Sequence, residues 1–106
     1  MKNADKHRIR YRLTEHAQKT ITERCISRAW LEMVLADPLT TERDKEDPTL
    51  LHALGRIPER GDRILRVIYN VKVKPWTVVT AFFDRKAGRS YESSFRRKGR
   101  RNLSAT

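Results

Sequence analysis

Cysteine is nearly absent. Cys25 stands alone among 106 residues, which excludes an intramolecular disulfide framework and any cysteine-based metal cluster, and it fits a reducing compartment. Long apolar runs are missing too: no stretch approaches the roughly 18 residues that span a bilayer. The charged N-terminus is not followed by the apolar segment a secretory signal carries. Together these absences predict a cytoplasmic protein with no membrane partner. Metal-site patterns are equally missing. His7, His16 and His52 lack zinc spacing, and Glu42, Asp44, Glu46 and Asp47 crowd together without the pattern of an EF-hand loop; neither a metal nor a cofactor is expected. Acidic residues are the minority, 13 against 24 Lys and Arg, for a formal charge of +11.

What is present is a short, basic chain. Its length fits one domain and leaves no room for a second core. A chain of this size buries about 60–70% of the surface its unfolded state exposes, so a modest stability margin is expected. Hydrophobic residues make up 38% of the chain and gather between Ile9 and Phe83. Arginine outnumbers lysine, and its planar five-donor fork suits phosphate or carboxylate. A field of this sign attracts nucleic acid, an anionic membrane or an acidic protein. RNA or another polyanion is the expected partner.

From His7 to Leu13 the chain alternates, with Ile9, Tyr11 and Leu13 on one side and Arg8, Arg10 and Arg12 on the other. That is the period of a half-buried strand with a wholly basic outer face. Thr14 stands where a helix N-cap belongs and Glu15 adds favourable charge to the first turn. The helix is predicted to run to about Arg24, with Ala17 and Ile21 inward. Cys25 and Ile26 form a break, Ser27 is a second N-cap, and Arg28–Ala36 carries Trp30, Leu31, Val34 and Leu35 at helical spacing. Asp37 and Pro38 end it. Leu39–Pro48 reads as a loop with room for a short edge strand, Leu50–Ile57 as a strand, and Pro58–Asp62 as a turn. Ile64–Val71 and Trp76–Phe83 are the clearest strands, rich in β-branched and aromatic residues. After Asp84 the apolar pattern stops, and residues 85–106 read as a flexible basic tail. The predicted architecture is a single α+β domain over residues 7–84, with two N-terminal helices packed on one face of a small antiparallel sheet.

The runs Tyr11-Arg12-Leu13-Thr14-Glu15-His16-Ala17, Glu23-Arg24-Cys25-Ile26-Ser27, Leu65-Arg66-Val67-Ile68-Tyr69 and Val78-Val79-Thr80-Ala81-Phe82-Phe83-Asp84 resemble an uncharacterised bacterial and phage domain family. That family opens on a T-x-H-A … E-R-G-I-S pattern. It is similar in turn to the RelE/ParE-like toxin superfamily, whose members are small basic domains with helices against an antiparallel sheet. The resemblance covers most of residues 9–84. It implies a toxin-like protein, since several members are ribonucleases and the ParE-like branch instead poisons a topoisomerase. It also implies a small acidic antitoxin-like partner. Two positions depart from the pattern. Cys25 stands where the family has glycine, a residue favoured where φ is positive. Thr20 stands where it has a basic residue, and the loss of that charge implies weakened or absent catalysis.

Metal-free RNA cleavage needs one group to take the proton of the ribose 2′-OH, another to protonate the leaving oxygen, and cations to stabilise the charge on phosphorus. A histidine with two or three arginines supplies all of this. His16, in the first turn of the first helix, is the candidate base or acid; its other reading is a structural histidine bonded across to the sheet. Arg66 interrupts an apolar strand, so it needs either a solvated phosphate-facing cleft or an ion-pair partner. His16 and Arg66 are expected to converge on one cleft between the first helix and the sheet. Arg24, two helical turns beyond His16, serves either substrate or a carboxylate of Asp84 or Glu23. Thr80 and Asp84 share a face of the last strand, so Arg66 forms either an Arg–Asp pair or an Arg–Thr phosphate clamp. Tyr11 and Tyr69 suit a stacking role or the core. The candidate nucleic-acid-binding set is Arg8, Arg10, Arg12, Thr80, Arg85, Arg96, Arg97 and Lys98. Two functions are therefore carried forward: a toxin-like, metal-independent ribonuclease or ribosome-directed domain, and a non-catalytic basic module that binds nucleic acid or an acidic protein.

Overall fold

A computed structural model of the chain describes residues 9–87. Five strands and two helices follow in the order β1 (Tyr11–Leu13), α1 (Glu15–Glu23), α2 (Arg28–Ala36), β2 (Thr40–Arg43), β3 (Leu50–Ile57), β4 (Arg63–Asn70) and β5 (Trp76–Phe83). Both helices begin where the sequence places a cap. The Thr14 hydroxyl accepts from the Ala17 N–H at 3.0 Å and the Ser27 hydroxyl from the Trp30 N–H at 3.1 Å, each satisfying an N–H that the first turn leaves without a partner. Helix α1 ends in a Schellman turn: the Ile26 N–H bonds to the Ile21 carbonyl at 2.9 Å and the Cys25 N–H to that of Thr22 at 3.3 Å. The turn sets Cys25 at φ 56°, the left-handed position that glycine normally fills. Ile21 and Ile26 are both buried beside it.

The strands form one sheet in the order β1-β5-β4-β3-β2. Four strands form an antiparallel meander from β2 to β5, but β1 pairs with β5 in parallel, Tyr11 opposite Trp76 and Leu13 opposite Val78. The sheet is mixed, which corrects the expectation of an antiparallel one. Alternation reveals that a segment is a strand and which face it buries, but the direction of its partner depends on the path through the two helices. The first strand is also shorter than its alternation suggests, because pairing with β5 begins only at Tyr11. Within the stretch expected as a loop, Thr40–Arg43 forms the edge strand β2 against Leu51–Leu54.

Helix α1 lies on β5 and β1, and α2 on β3 and β4, all on one face. The core there joins Ala17, Ile21, Leu31, Val34 and Leu35 of the helices to Ala53, Ile57, Leu65, Val67, Tyr69, Val78 and Ala81 of the sheet. Burying each large side chain of this kind is worth about 1.5–3 kcal/mol. Gly55 allows α2 to approach so closely, since a Cβ there would stand 2.6 Å from Cγ2 of Val34. Beyond β5, Asp84 accepts from the Ala87 N–H at 3.0 Å and caps a helical turn at Arg85–Ala87. Most of the predicted tail, and Arg8, lie outside the described residues.

Candidate functional site

On β4 the residues alternate between the helix-covered face (Leu65, Val67, Tyr69) and the opposite one (Ile64, Arg66, Ile68). Arg66 thus projects from the middle of the sheet, away from the helices, with Leu54 and Phe82 as its cross-strand neighbours. Its guanidinium is engaged on three sides. Nε donates to Asp84 Oδ2 at 2.7 Å, and Nη1 donates to Glu42 Oε1 at 2.9 Å and to His52 Nδ1 at 2.8 Å. The far nitrogen of His52 meets Asp44 Oδ1 at 2.7 Å. Arginine can only donate, so His52 Nδ1 must accept, and its Nε2–H is the proton given to Asp44.

The network joins three strands and the chain just past the fourth: Glu42 from β2, His52 from β3, Arg66 from β4 and Asp84 after β5, with Asp44 from the loop after β2. Asp44 is itself held by the N–H groups of Glu46 and Asp47 at 3.1 and 2.9 Å. The side chains of Arg66, His52 and Asp84 retain only 13%, 15% and 16% of their exposure. The charge states agree with the geometry. Burial pushes the Asp84 carboxyl up, but the Ala87 N–H, Arg66 and the Lys86 N–H together hold it below the usual carboxylate range. The hydrogen bond from His52, followed by those of Asp47 and Glu46, lowers that of Asp44. Burial alone would lower the Arg66 value, yet Glu42 and Asp84 raise it on balance. One guanidinium among three carboxylates leaves the cluster net negative, and both imidazole nitrogens of His52 are occupied. Such an arrangement cross-braces the sheet, tying its strands together through one guanidinium.

The other candidates lie elsewhere. His16 is exposed on α1, on the helix-covered side, where its Nε2 meets only the Thr20 hydroxyl at 3.4 Å. It therefore does not converge with Arg66, which alternates away from that side. Arg24 is exposed at the C-terminal end of α1; its carbonyl accepts from Arg60 at 3.5 Å, and its guanidinium bonds to no described residue. Arg66 pairs with Asp84, and Thr80 makes no bond to it. Tyr69 is buried in the core, and Tyr11 donates to Glu32 at 2.7 Å; burial and that bond push the Tyr11 phenol up to about 12. Arg10, Arg12 and Arg85 are exposed, whereas Arg96, Arg97 and Lys98 lie outside the described residues. No group of three or more His, Cys, Asp or Glu side chains placed to hold a metal ion occurs among the described residues, and no helix among them is long and apolar enough to cross a membrane.

Sequence reasoning missed His52 and Glu42 as partners of Arg66, and Asp44 as the partner of His52. The available signal was parity: Leu51, Ala53, Gly55 and Ile57 share one face of β3, which places His52 on the other, with Arg66 across the next strand pair.

Residues 13–83 match a family described as "Domain of unknown function (DUF4258)". No curated protein and no solved structure matches the chain.

Proposed function

We propose that this chain, which belongs to the DUF4258 family, is a non-catalytic module that binds RNA through its basic surface. The observation that carries the reading is the division of its charges. The arginine at the centre of the sheet is neutralised by carboxylates, whereas the side chains of Arg12 in the edge strand β1 and of Arg10 just before it are exposed and make no hydrogen bond or ion pair with another described residue. Exposed cations without acidic partners are free to replace the counterions of a phosphate backbone, which is the main source of sequence-independent affinity. The formal charge of +11 supplies the long-range attraction.

A toxin-like ribonuclease is the competing reading, and it requires His16 and Arg66, which stand on opposite faces of the sheet, to serve one phosphate. The experiment follows from that contrast. Binding of a labelled single-stranded RNA is measured over increasing salt, together with the integrity of the RNA and the growth of cells on induced expression. The module predicts intact RNA, undisturbed growth and an affinity that falls linearly with log salt. The Arg10→Gln/Arg12→Gln protein should show a slope shallower by about 1.4, the sum of two single-strand phosphate contacts. Growth arrest with RNA cleavage, both lost in His16→Ala and Arg66→Ala, would establish the ribonuclease instead. Absence of binding even at low salt, with tight binding to an acidic protein, would replace RNA as the partner.

A further inference from the structure

The depressions among the described residues differ in chemistry. One, of about 600 Å³, is lined by Arg43, Lys45 and Lys72 together with Asp44 and Glu46 and has no aromatic ring among its described lining residues; an anion entering it meets both signs. A second, of about 450 Å³, is lined by Ile9, Arg10, Lys74, Pro75 and Trp76. Its described lining residues include two cations, one aromatic ring and no carboxylate, and its volume is within the size range of small-molecule sites, about 300–1,000 Å³. The fold assembles it from two distant segments. Parallel pairing of β1 with β5 sets Tyr11 opposite Trp76, so the chain just before β1 lies against the connection just before β5.

Trp76 is only half-buried, and its indole is braced from one side. It leans on Tyr69 with ring centroids 5.2 Å apart and planes tilted 45°, and Tyr69 is itself buried in the core. A ring already braced gives up less freedom when something stacks on it. Arg10 and Lys74 on the rim are both exposed and make no bond with a described residue.

We propose that this depression receives one unstacked nucleotide of a single-stranded nucleic acid, the base resting on Trp76 and the flanking phosphates meeting Arg10 and Lys74. Flat aromatic surface beside cations is what a single strand offers partners for and a duplex does not, because paired bases hide their faces in the stack. The inference rests on the RNA-binding reading and adds to it a place and a preference for single strands.

The test uses the whole chain. In a Trp30→Phe protein Trp76 is the sole tryptophan, so its emission reports this site alone. Adding a short oligouridylate should quench that emission with the midpoint seen by anisotropy of the labelled oligonucleotide. A duplex of equal length should bind by anisotropy without quenching. On the otherwise unaltered protein, Lys74→Gln changes an exposed residue and should lower the salt slope by about 0.7; Trp76→Leu should weaken binding by about 5- to 160-fold. Oligouridylate that binds while Trp76 emission stays constant and Lys74→Gln behaves as the unaltered protein overturns this site and leaves RNA binding standing. If no nucleic acid binds the unaltered protein at low salt, both readings fail.

Discussion

Arg66 and Asp84 face each other across the end of β5, the Nε–H of one donating to Oδ2 of the other at 2.7 Å. The bond ties the middle of the sheet to the point where the chain leaves it, and the same carboxylate caps the helical turn that follows, through Oδ1 and the Ala87 N–H. Of the two pairings the sequence left open for Arg66, the structure shows the one with Asp84.

Its removal should be felt as lost stability. Arg66→Leu leaves Asp84, His52 Nδ1 and Glu42 without their donor, and with the first two largely buried a cost of about 2–3 kcal/mol is expected. For a domain of this size that lowers the thermal midpoint by roughly 8–24 °C. Glu42→Gln is the control, since the Glu42 side chain remains 50% exposed and exposed pairs contribute about 0–1 kcal/mol. Urea denaturation of the two variants decides; equal, small losses would contradict the brace.

The network also sets an acid limit. Asp84 and Asp44 both have folded-state values below those of free carboxylates, so the unfolded chain takes up their protons first as pH falls. Their contribution is fully present above the unfolded value of about 3.9 and is lost as pH drops through the folded values. Urea midpoints measured between neutral and strongly acidic pH should decline below about pH 4–5, and Asp84→Asn should flatten that decline. An Asp84→Asn profile parallel to the unaltered one would show that Asp84 is not part of it.

Close approach of α2 to the sheet yields a third expectation. Gly55→Ala inserts a methyl 2.6 Å from the Val34 side chain, and overfilling of this kind costs about 1–3 kcal/mol. Val34→Ala in the same chain should relieve the collision, so the two changes together should cost less than their sum by at least about 0.5 kcal/mol. Strict additivity in a double-mutant cycle would mean the helix simply shifts.

Cys25 offers a substitution that should stabilise. Its φ of 56° is the glycine position of a Schellman turn, and the side chain is exposed, so little contact is lost on removing it. Cys25→Gly should gain about 0.5–1 kcal/mol, the relief of the left-handed strain less the added freedom of the unfolded chain. Cys25→Val, branched at Cβ, should lose stability instead. The reverse order in thermal melts would refute the assignment of strain to this turn.

Much of this fold is written locally. Thr14 and Ser27 cap helices because a hydroxyl needs only the N–H three residues on, and β4 and β5 announce themselves through side chains that alternate within one strand. Parity even placed Asp84 on the same face as Thr80, within reach of Arg66. What the sequence did not determine is which strands lie side by side and in which direction. The parallel β1–β5 pair, the meeting of His52 with Arg66, and the approach of Arg10 to Trp76 each join residues far apart in the chain. Those contacts depend on register and chain path, fixed only when the helices and sheet close over a common core. The separation of His16 from Arg66 has the same origin: both interrupt an apolar pattern, and only the assembled sheet puts them on opposite sides of it.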